Sequence, residues 1–206
     1  MRSIRPRSRW EILSGIALVL VWAVAVQTCS RTESGMTMFH AQDISGVMPD
    51  LEFNLTNEYG TTMTAAYLRD KTTLLYFGYT NCPYVCSTKL AHLAETLRLL
   101  GPLAGSVCVL FVSADPRRDS PGVLWRFASS FGPQFIGLTG TDDQLTALTQ
   151  RYRVAYRRDE PGKDGSYPVY HNSAVLVFDR NGKARLLVTP SETDEQLAED
   201  LRAVMK

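Results

Sequence analysis

Cys82 and Cys86 bracket the run Cys82-Pro-Tyr-Val-Cys86, whereas Cys29 and Cys108 stand alone. A structural disulfide framework uses more cysteines, more evenly spread, so a tight pair points to chemistry rather than stapling. Residues four apart share one face of a helix, with Cβ atoms roughly 5–6 Å apart. Both sulfurs can then point at one atom. Pro83 suits a first helical turn, where its missing N–H costs nothing. The free amides at a helix start favour negative charge and are expected to lower the thiol pKa values. Two such thiolates make a soft site that accepts Cu(I) or Zn(II), not Mg or Ca. The same pair can cycle between dithiol and disulfide, so thiol–disulfide exchange is the competing chemistry. Three intervening residues, rather than two, depart from the thioredoxin redox spacing.

Two thiolates leave a metal under-coordinated, and the chain has three histidines. His40 falls in a polar stretch ahead of the domain. His92 lies six residues past Cys86 and turns away by the helical period. His171 directly precedes an apolar strand and can approach the cysteines across the end of the sheet. Read alone it is an ordinary surface histidine; the thiolate pair makes it the candidate third ligand. Asp115, at the end of a central strand where α/β sites form, is expected to cap the turn at Pro116. The other role open to it is bonding His171 or the metal. Cys108 sits inside an apolar strand and is expected to be inert packing. Met36 and Met38 are read as linker residues rather than soft ligands.

The elements that must position these groups follow from periodicity. Asp50 to Thr56 alternates as a half-buried strand, Asn57 to Gly60 turns the chain, and Thr73 to Tyr79 is a strong apolar strand. A helix after the cysteines carries Leu90, Leu93, Ala94, Leu97 and Leu100 on one face and stops at Gly101-Pro102. Val107 to Val112 is apolar throughout and so central, buried on both faces. Asp119 or Ser120 caps a helix from Pro121 to about Phe131. Phe135 to Leu138 is a strand, Thr141-Asp-Asp caps a helix from Gln144 to Tyr152, and Arg157 to Tyr167 is a charged surface loop or hairpin. Ser173 to Asp179 and Ala184 to Val188 flank the hairpin turn Arg180-Asn-Gly-Lys. An amphipathic helix, Glu195 to Met205, closes the chain. Alternating βα units imply a largely parallel centre, and the hairpin adds antiparallel strands: an α/β, central mixed sheet flanked by helices.

The chain has 206 residues, 45% apolar and 21% charged, with 22 Lys plus Arg against 21 Asp plus Glu. That is one globular domain with room for an anchor. No basic stripe with interleaved aromatics appears after the first ten residues, so no nucleic-acid partner is expected. Arg2, Arg5, Arg7 and Arg9 precede an apolar run from Ile12 to Val26, the pattern of a signal or signal-anchor. Its about 15 residues are near the lower limit for crossing a hydrocarbon core ~30 Å thick. The arginines place the rest of the chain on the far, periplasmic side. Cys29 follows the run, but Gln27 and Thr28 fit a lipidation site poorly. The expected organisation is therefore a signal-anchor or signal segment at 1–29, a linker at 30–45 and a domain at 46–206.

Tyr76-Phe-Gly-Tyr-Thr-Asn-Cys-Pro-Tyr-Val-Cys86 resembles the signature of the Sco (SenC) copper proteins. Val112-Ser-Ala-Asp-Pro-Arg-Arg-Asp-Ser-Pro121 resembles the second block of that family, and Tyr170-His-Asn-Ser173 with the strand after it the third. All three stand in the family's order, and the similarity covers roughly residues 47–206. The resemblance implies a thioredoxin-like fold and a copper site of Cys82, Cys86 and His171, taking Cu(I), Cu(II) or both. It implies a metallochaperone that helps assemble the dinuclear copper centre of cytochrome c oxidase subunit II or a related copper oxidase. A copper donor and a thioredoxin-like reductant are the further partners expected. The family usually has Asp where Tyr84 stands and Pro where Ser87 stands, so this chain lacks a carboxylate beside the metal. The alternatives are thiol–disulfide exchange on client cysteines through Cys82 and Cys86, and a peroxiredoxin-type peroxidase, whose Thr/Pro order Thr80, Cys82 and Pro83 imitate only in part.

Overall fold

The chain divides into two units, Met1–Met38 and Phe39–Lys206. The structure is a computed structural model that describes residues 38–159, 162, 167 and 169–206, without the side chain of His171. The expected anchor at 1–29, with Cys29, and linker residues 30–37, with Met36, lie outside the described residues. Among those described, no helix is long and apolar enough to cross a membrane.

The elements run β1 (Gln42–Asp43), β2 (Asn54–Asn57), β3 (Thr62–Thr64), β4 (Thr72–Gly78), α1 (Val85–Leu100), β5 (Val107–Ser113), α2 (Pro121–Ser129) and β6 (Phe135–Thr139). They continue with α3 (Asp142–Arg151), β7 (Tyr156–Arg158), β8 (Val169–His171), β9 (Val175–Phe178), β10 (Ala184–Val188) and α4 (Asp194–Val204). Eight strands form one sheet in the order β1-β10-β9-β4-β5-β6-β2-β3, and β7 and β8 pair separately. β4, β5 and β6 are parallel; β9 runs antiparallel to β4 and β2 antiparallel to β6.

β4 and β5 are buried at every position, and their side chains alternate between two cores. Leu74, Tyr76, Val109 and Phe111 face one core with Cys86, Leu90 and Leu97 of α1, Leu124 of α2 and Leu201 of α4. Leu75, Phe77, Cys108, Leu110 and Val112 face the other with Leu145 and Leu148 of α3 and Leu55 of β2. Covering on both faces is what a nearly continuous apolar run requires. α1 closes at Gly101, whose positive φ of 60° glycine adopts without a Cβ penalty. α3 and α4 open with capping boxes, Thr141 with Gln144 and Thr193 with Gln196.

Three expectations change. Phe39 to Ser45, expected in the linker, belongs to the folded unit: Ala41 and Ile44 are buried, and β1 pairs with β10. Asp200, buried on α4, accepts the backbone N–H of His40 (3.0 Å) and of Ala41 (2.8 Å) and so fixes the chain entry. The strand expected from Asp50 begins only at Asn54. Ahead of it, Leu51 N–H donates to Gly182 O at 2.7 Å and Glu52 N–H to the Tyr152 hydroxyl at 2.8 Å, which diverts that backbone from a ladder. The stretch between the turn at Asn57–Gly60 and the strand at Thr73, for which periodicity gives no element, contains β3 and a 3-10 turn at Ala65–Leu68.

Candidate metal centre

The cysteines sit at the carboxyl end of β4, where open α/β sheets present ligand sites. α1 starts at Val85 with Tyr84 as its N-cap, so Cys86 lies in the first turn while Cys82 and Pro83 precede the helix. The expectation of two cysteines on one helix face is thereby corrected. Cys82 N–H donates to Tyr79 O at 3.2 Å, a turn that ends before Pro83. That turn still keeps Cys82 near enough to Cys86 to oppose its ionisation. Cys82, Cys86 and Cys108 are joined in no disulfide.

Cys86 is fully buried and Cys82 half-buried. Burial pushes the Cys86 thiol up to about 12, although the Tyr79 backbone N–H and the Tyr76 hydroxyl, by bonding its sulfur, pull the other way. The expected lowering at the helix start is therefore overturned at Cys86: loss of water outweighs the helix end. Burial, then the neighbouring Cys86 charge, raises the Tyr76 hydroxyl, so it stays a donor. Burial likewise raises Tyr79, whose side chain bonds Cys82. Gly78 leaves room for this cluster. A Cβ there would stand 3.0 Å from Cys86 Sγ and 2.6 Å from a Phe111 ring carbon.

Two carboxylates after β5 organise the rim. Asp119, fully buried, accepts Thr80 N–H at 3.1 Å, the Thr80 hydroxyl at 2.5 Å and the Ser113 hydroxyl at 2.6 Å. It was a candidate cap for α2, but Ser120 is the N-cap and Asp119 turns inward to hold the loop before Cys82. Asp115, fully buried, accepts the Tyr167 hydroxyl at 2.6 Å and Arg118 Nε. Its carbonyl accepts Arg118 N–H at 3.1 Å and Asp119 N–H at 2.9 Å, so backbone closes the turn at Pro116 while the carboxylate serves Arg118 and Tyr167.

His171 ends β8, its Cα paired with Tyr156 in the β7–β8 ladder, and Asn172 N–H donates to Ala155 O at 3.3 Å. The His171 side chain lies outside the description. Its backbone enters β9 at the cysteine end of the sheet, because Val175 at the start of β9 pairs with Tyr76 near the end of β4. Among the described residues no three His, Cys, Asp or Glu side chains form a metal cluster. His92 instead faces Asp194 at 3.2 Å and His40 faces Glu199 at 3.1 Å. Met38 is exposed, and Cys108 is a core thiol that burial pushes up to about 12.

Sequence reasoning missed Tyr76, Tyr79, Arg118, Asp119 and Tyr167. Tyr76 carried a signal: a tyrosine inside an apolar strand must find a partner for its hydroxyl. Asp119 carried none, because the adjacent Ser120 makes an equally good cap.

Residues 42–206 match the SCO1/SenC family model. A SCO2-like protein of Rickettsia felis is 34% identical over 133 residues, which cover 64% of this chain and 65% of that protein. The mitochondrial SCO1 protein of Saccharomyces cerevisiae is 36% identical over 135 residues, 64% of this chain and 45% of its own. The matched stretch is thus less than two thirds of each relative's length. Bradyrhizobium japonicum ScoI, solved with copper bound, superposes with a TM-score of 0.69 at 36% identity, covering 76% of this chain and 99% of that one. Apo Sco1 of Thermus thermophilus superposes with a TM-score of 0.72 at 32% identity, covering 84% and 100%. The mixed sheet flanked by helices is the architecture of these thioredoxin-like Sco structures.

Proposed function

Because this chain belongs to the SCO1/SenC family, we propose that it is a copper metallochaperone that binds copper through Cys82, Cys86 and His171. Its client is the dinuclear centre of cytochrome c oxidase subunit II or of a related copper oxidase. The observation that carries the reading is the placing of both cysteines between the carboxyl end of β4 and the first turn of α1, beside the strand that His171 leads into. Copper is the cargo, and soft thiolates with one imidazole suit it. Each thiol must lose its proton to bind, so loading releases protons and weakens at low pH. Two thiolates neutralise Cu(II), which suits a sulfur buried as deeply as Cys86. With Cu(I) one negative charge remains.

The basic then apolar N-terminus supports attachment of residues 1–29 to a membrane, with the domain on its periplasmic side. A copper donor and a thioredoxin-like reductant complete the cycle. In an oxidising compartment the reductant must return Cys82 and Cys86 to thiols before loading.

Two free cysteines this close in the chain also favour a second reading, thiol–disulfide exchange on client cysteines, which needs no His171. Copper titration of the reduced full chain with X-ray absorption separates the two. The carrier reading expects one copper per chain, two sulfurs and at least one nitrogen around it, and loss of copper in Cys82→Ala, Cys86→Ala and His171→Ala. Full copper retention in His171→Ala overturns the three-ligand site. Failure of the reduced chain to take copper, together with rapid reduction of a client disulfide, gives the second reading instead.

A further inference from the structure

We propose that Arg118, Asp115 and Tyr167 form a latch that docks the β7–β8 hairpin against the cysteine loop, making them positioning residues for the third ligand. The metal consequence rests on the function proposed above; the docking itself does not.

β7 and β8 form three residue pairs and, among the described residues, join no other strand. A lone two-stranded hairpin is marginal in water, so contacts outside the ladder must hold it. Val169 is buried in the core that contains Cys86, and Tyr156 and Tyr167 pack on that core. Arg158 pairs with Asp142 on α3, remote from the cysteine loop in the chain. The latch reaches from the loop after β5 instead. Arg118 stacks on the Tyr167 ring at 3.9 Å and lies 5.9 Å from the Tyr79 ring. It also donates to Tyr167 O at 3.3 Å and to the Asp115 carboxylate, which the Tyr167 hydroxyl bonds as well.

One cation therefore stacks on one ring and lies within cation–π range of a second, and the two rings have different attachments. Tyr79 bonds Cys82, and Tyr167 stands four residues before His171. Undocking the hairpin strips a fully buried carboxylate of one of its two side-chain donors, which makes undocking costly. The docked state fixes the β8 backbone beside the thiols. Because binding effects are reciprocal, copper held by all three ligands must in turn steady the hairpin.

Hydrogen exchange of residues 156–172 in the metal-free full chain tests the docking. Copper affinity and the X-ray absorption nitrogen count test its consequence. Tyr167→Phe keeps the ring and removes the hydroxyl; Arg118→Lys keeps the charge and removes the planar fork. Loss of a bond to a charged carboxylate is expected to raise hairpin exchange about tenfold or more relative to β4 and β5 amides, with a similar loss of copper affinity in Tyr167→Phe. Unchanged hairpin exchange in both variants overturns the latch. Faster exchange with unchanged copper affinity and nitrogen count overturns its link to the metal. If the wild-type chain takes no copper while the variants still loosen the hairpin, the latch stands and the copper reading falls.

Discussion

Replacing Gly78 with Ala puts a methyl group where three atoms already stand. Its Cβ would lie 2.6 Å from Phe111 Cε2, 3.2 Å from Phe111 Cζ and 3.0 Å from Cys86 Sγ. Carbon pairs are most comfortable at about 3.5–4.0 Å, so the overlap on the ring is about 1 Å. Phe111 has little room to retreat. It is fully buried, with the Phe127 ring centroid at 5.1 Å and that of Tyr76 at 6.1 Å. The backbone cannot back away either: Gly78 pairs in register with Ser113, and its carbonyl accepts Ala114 N–H at 2.6 Å. Overpacking of this kind costs ~1–3 kcal/mol. With a urea slope of about 2 kcal/mol/M, the midpoint of the metal-free chain falls by about 0.5–1.5 M.

The methyl also pushes on the Cys86 sulfur, so copper affinity falls beyond what instability explains. Gly137→Ala is the matched control. Its Cβ would stand 2.7 Å from Leu124 Cβ, an overlap of the same size that touches no cysteine. Urea unfolding and copper competition titrations on both variants read the difference. A Gly78→Ala chain within 0.5 kcal/mol of wild type, taken as the usual range of harmless substitutions, refutes the packing argument. Equal copper affinities in the two variants refute the link to the sulfur.

Asp119→Asn removes a carboxylate whose pKa burial raises above the usual 3.8. The folded state holds that proton more tightly, so its contribution is full below 3.8 and is lost as pH rises through the raised value. Wild type should therefore lose stability relative to Asp119→Asn as pH climbs through the window above 3.8, and a flat difference in urea unfolding across it contradicts this. Iodoacetamide at neutral pH should label Cys82 first and leave Cys86 and Cys108 protected, since both are buried with thiols near 12; equal labelling of Cys82 and Cys86 by mass spectrometry counts against the burial asymmetry. Asp200→Ala strands the backbone N–H groups of His40 and Ala41 and should cost ~1–3 kcal/mol with faster exchange at Gln42 and Asp43; unchanged unfolding and exchange show that the chain entry is held by other contacts.

What the sequence revealed of the fold depended on length and burial. β4 and β5 were legible because seven consecutive buried positions leave no polar gap. α3 announced itself through the Thr141-Asp-Asp cap and α4 through its amphipathic period, while the capping boxes of Thr141 with Gln144 and Thr193 with Gln196 came to light only in the structure. β1 is two residues and β3 three, mostly polar, and each exists only through its ladder to a distant or adjacent strand. Periodicity over two or three residues carries no signal. The Cys82–Cys86 pair was legible from spacing, but its backbone was not. Pro83 suits a first helical turn equally well in sequence terms; the Cys82 N–H bond to Tyr79 O and the Thr88 N–H bond to Tyr84 O decide that the helix starts later.

The thiol chemistry turned on a contest that the sequence could not weigh. A helix start stabilises an anion by ~0.3–1 kcal/mol, up to about 2 in favourable sites. Raising the Cys86 thiol from 9.0 to about 12 corresponds to ~4 kcal/mol against the thiolate. Burial therefore wins at Cys86, whereas Cys82 keeps part of its surface open to an incoming reagent. The thiolate is the species that attacks disulfides and binds metal. An incoming copper ion, or an incoming disulfide, thus meets Cys82 first. Cys86 gives up its proton only once an electrophile is already held beside it, against the donors Tyr76 and Tyr79 that stand ready to bond the resulting charge. On either chemistry the order of events is set by depth, with the loop cysteine leading and the helix cysteine closing the site.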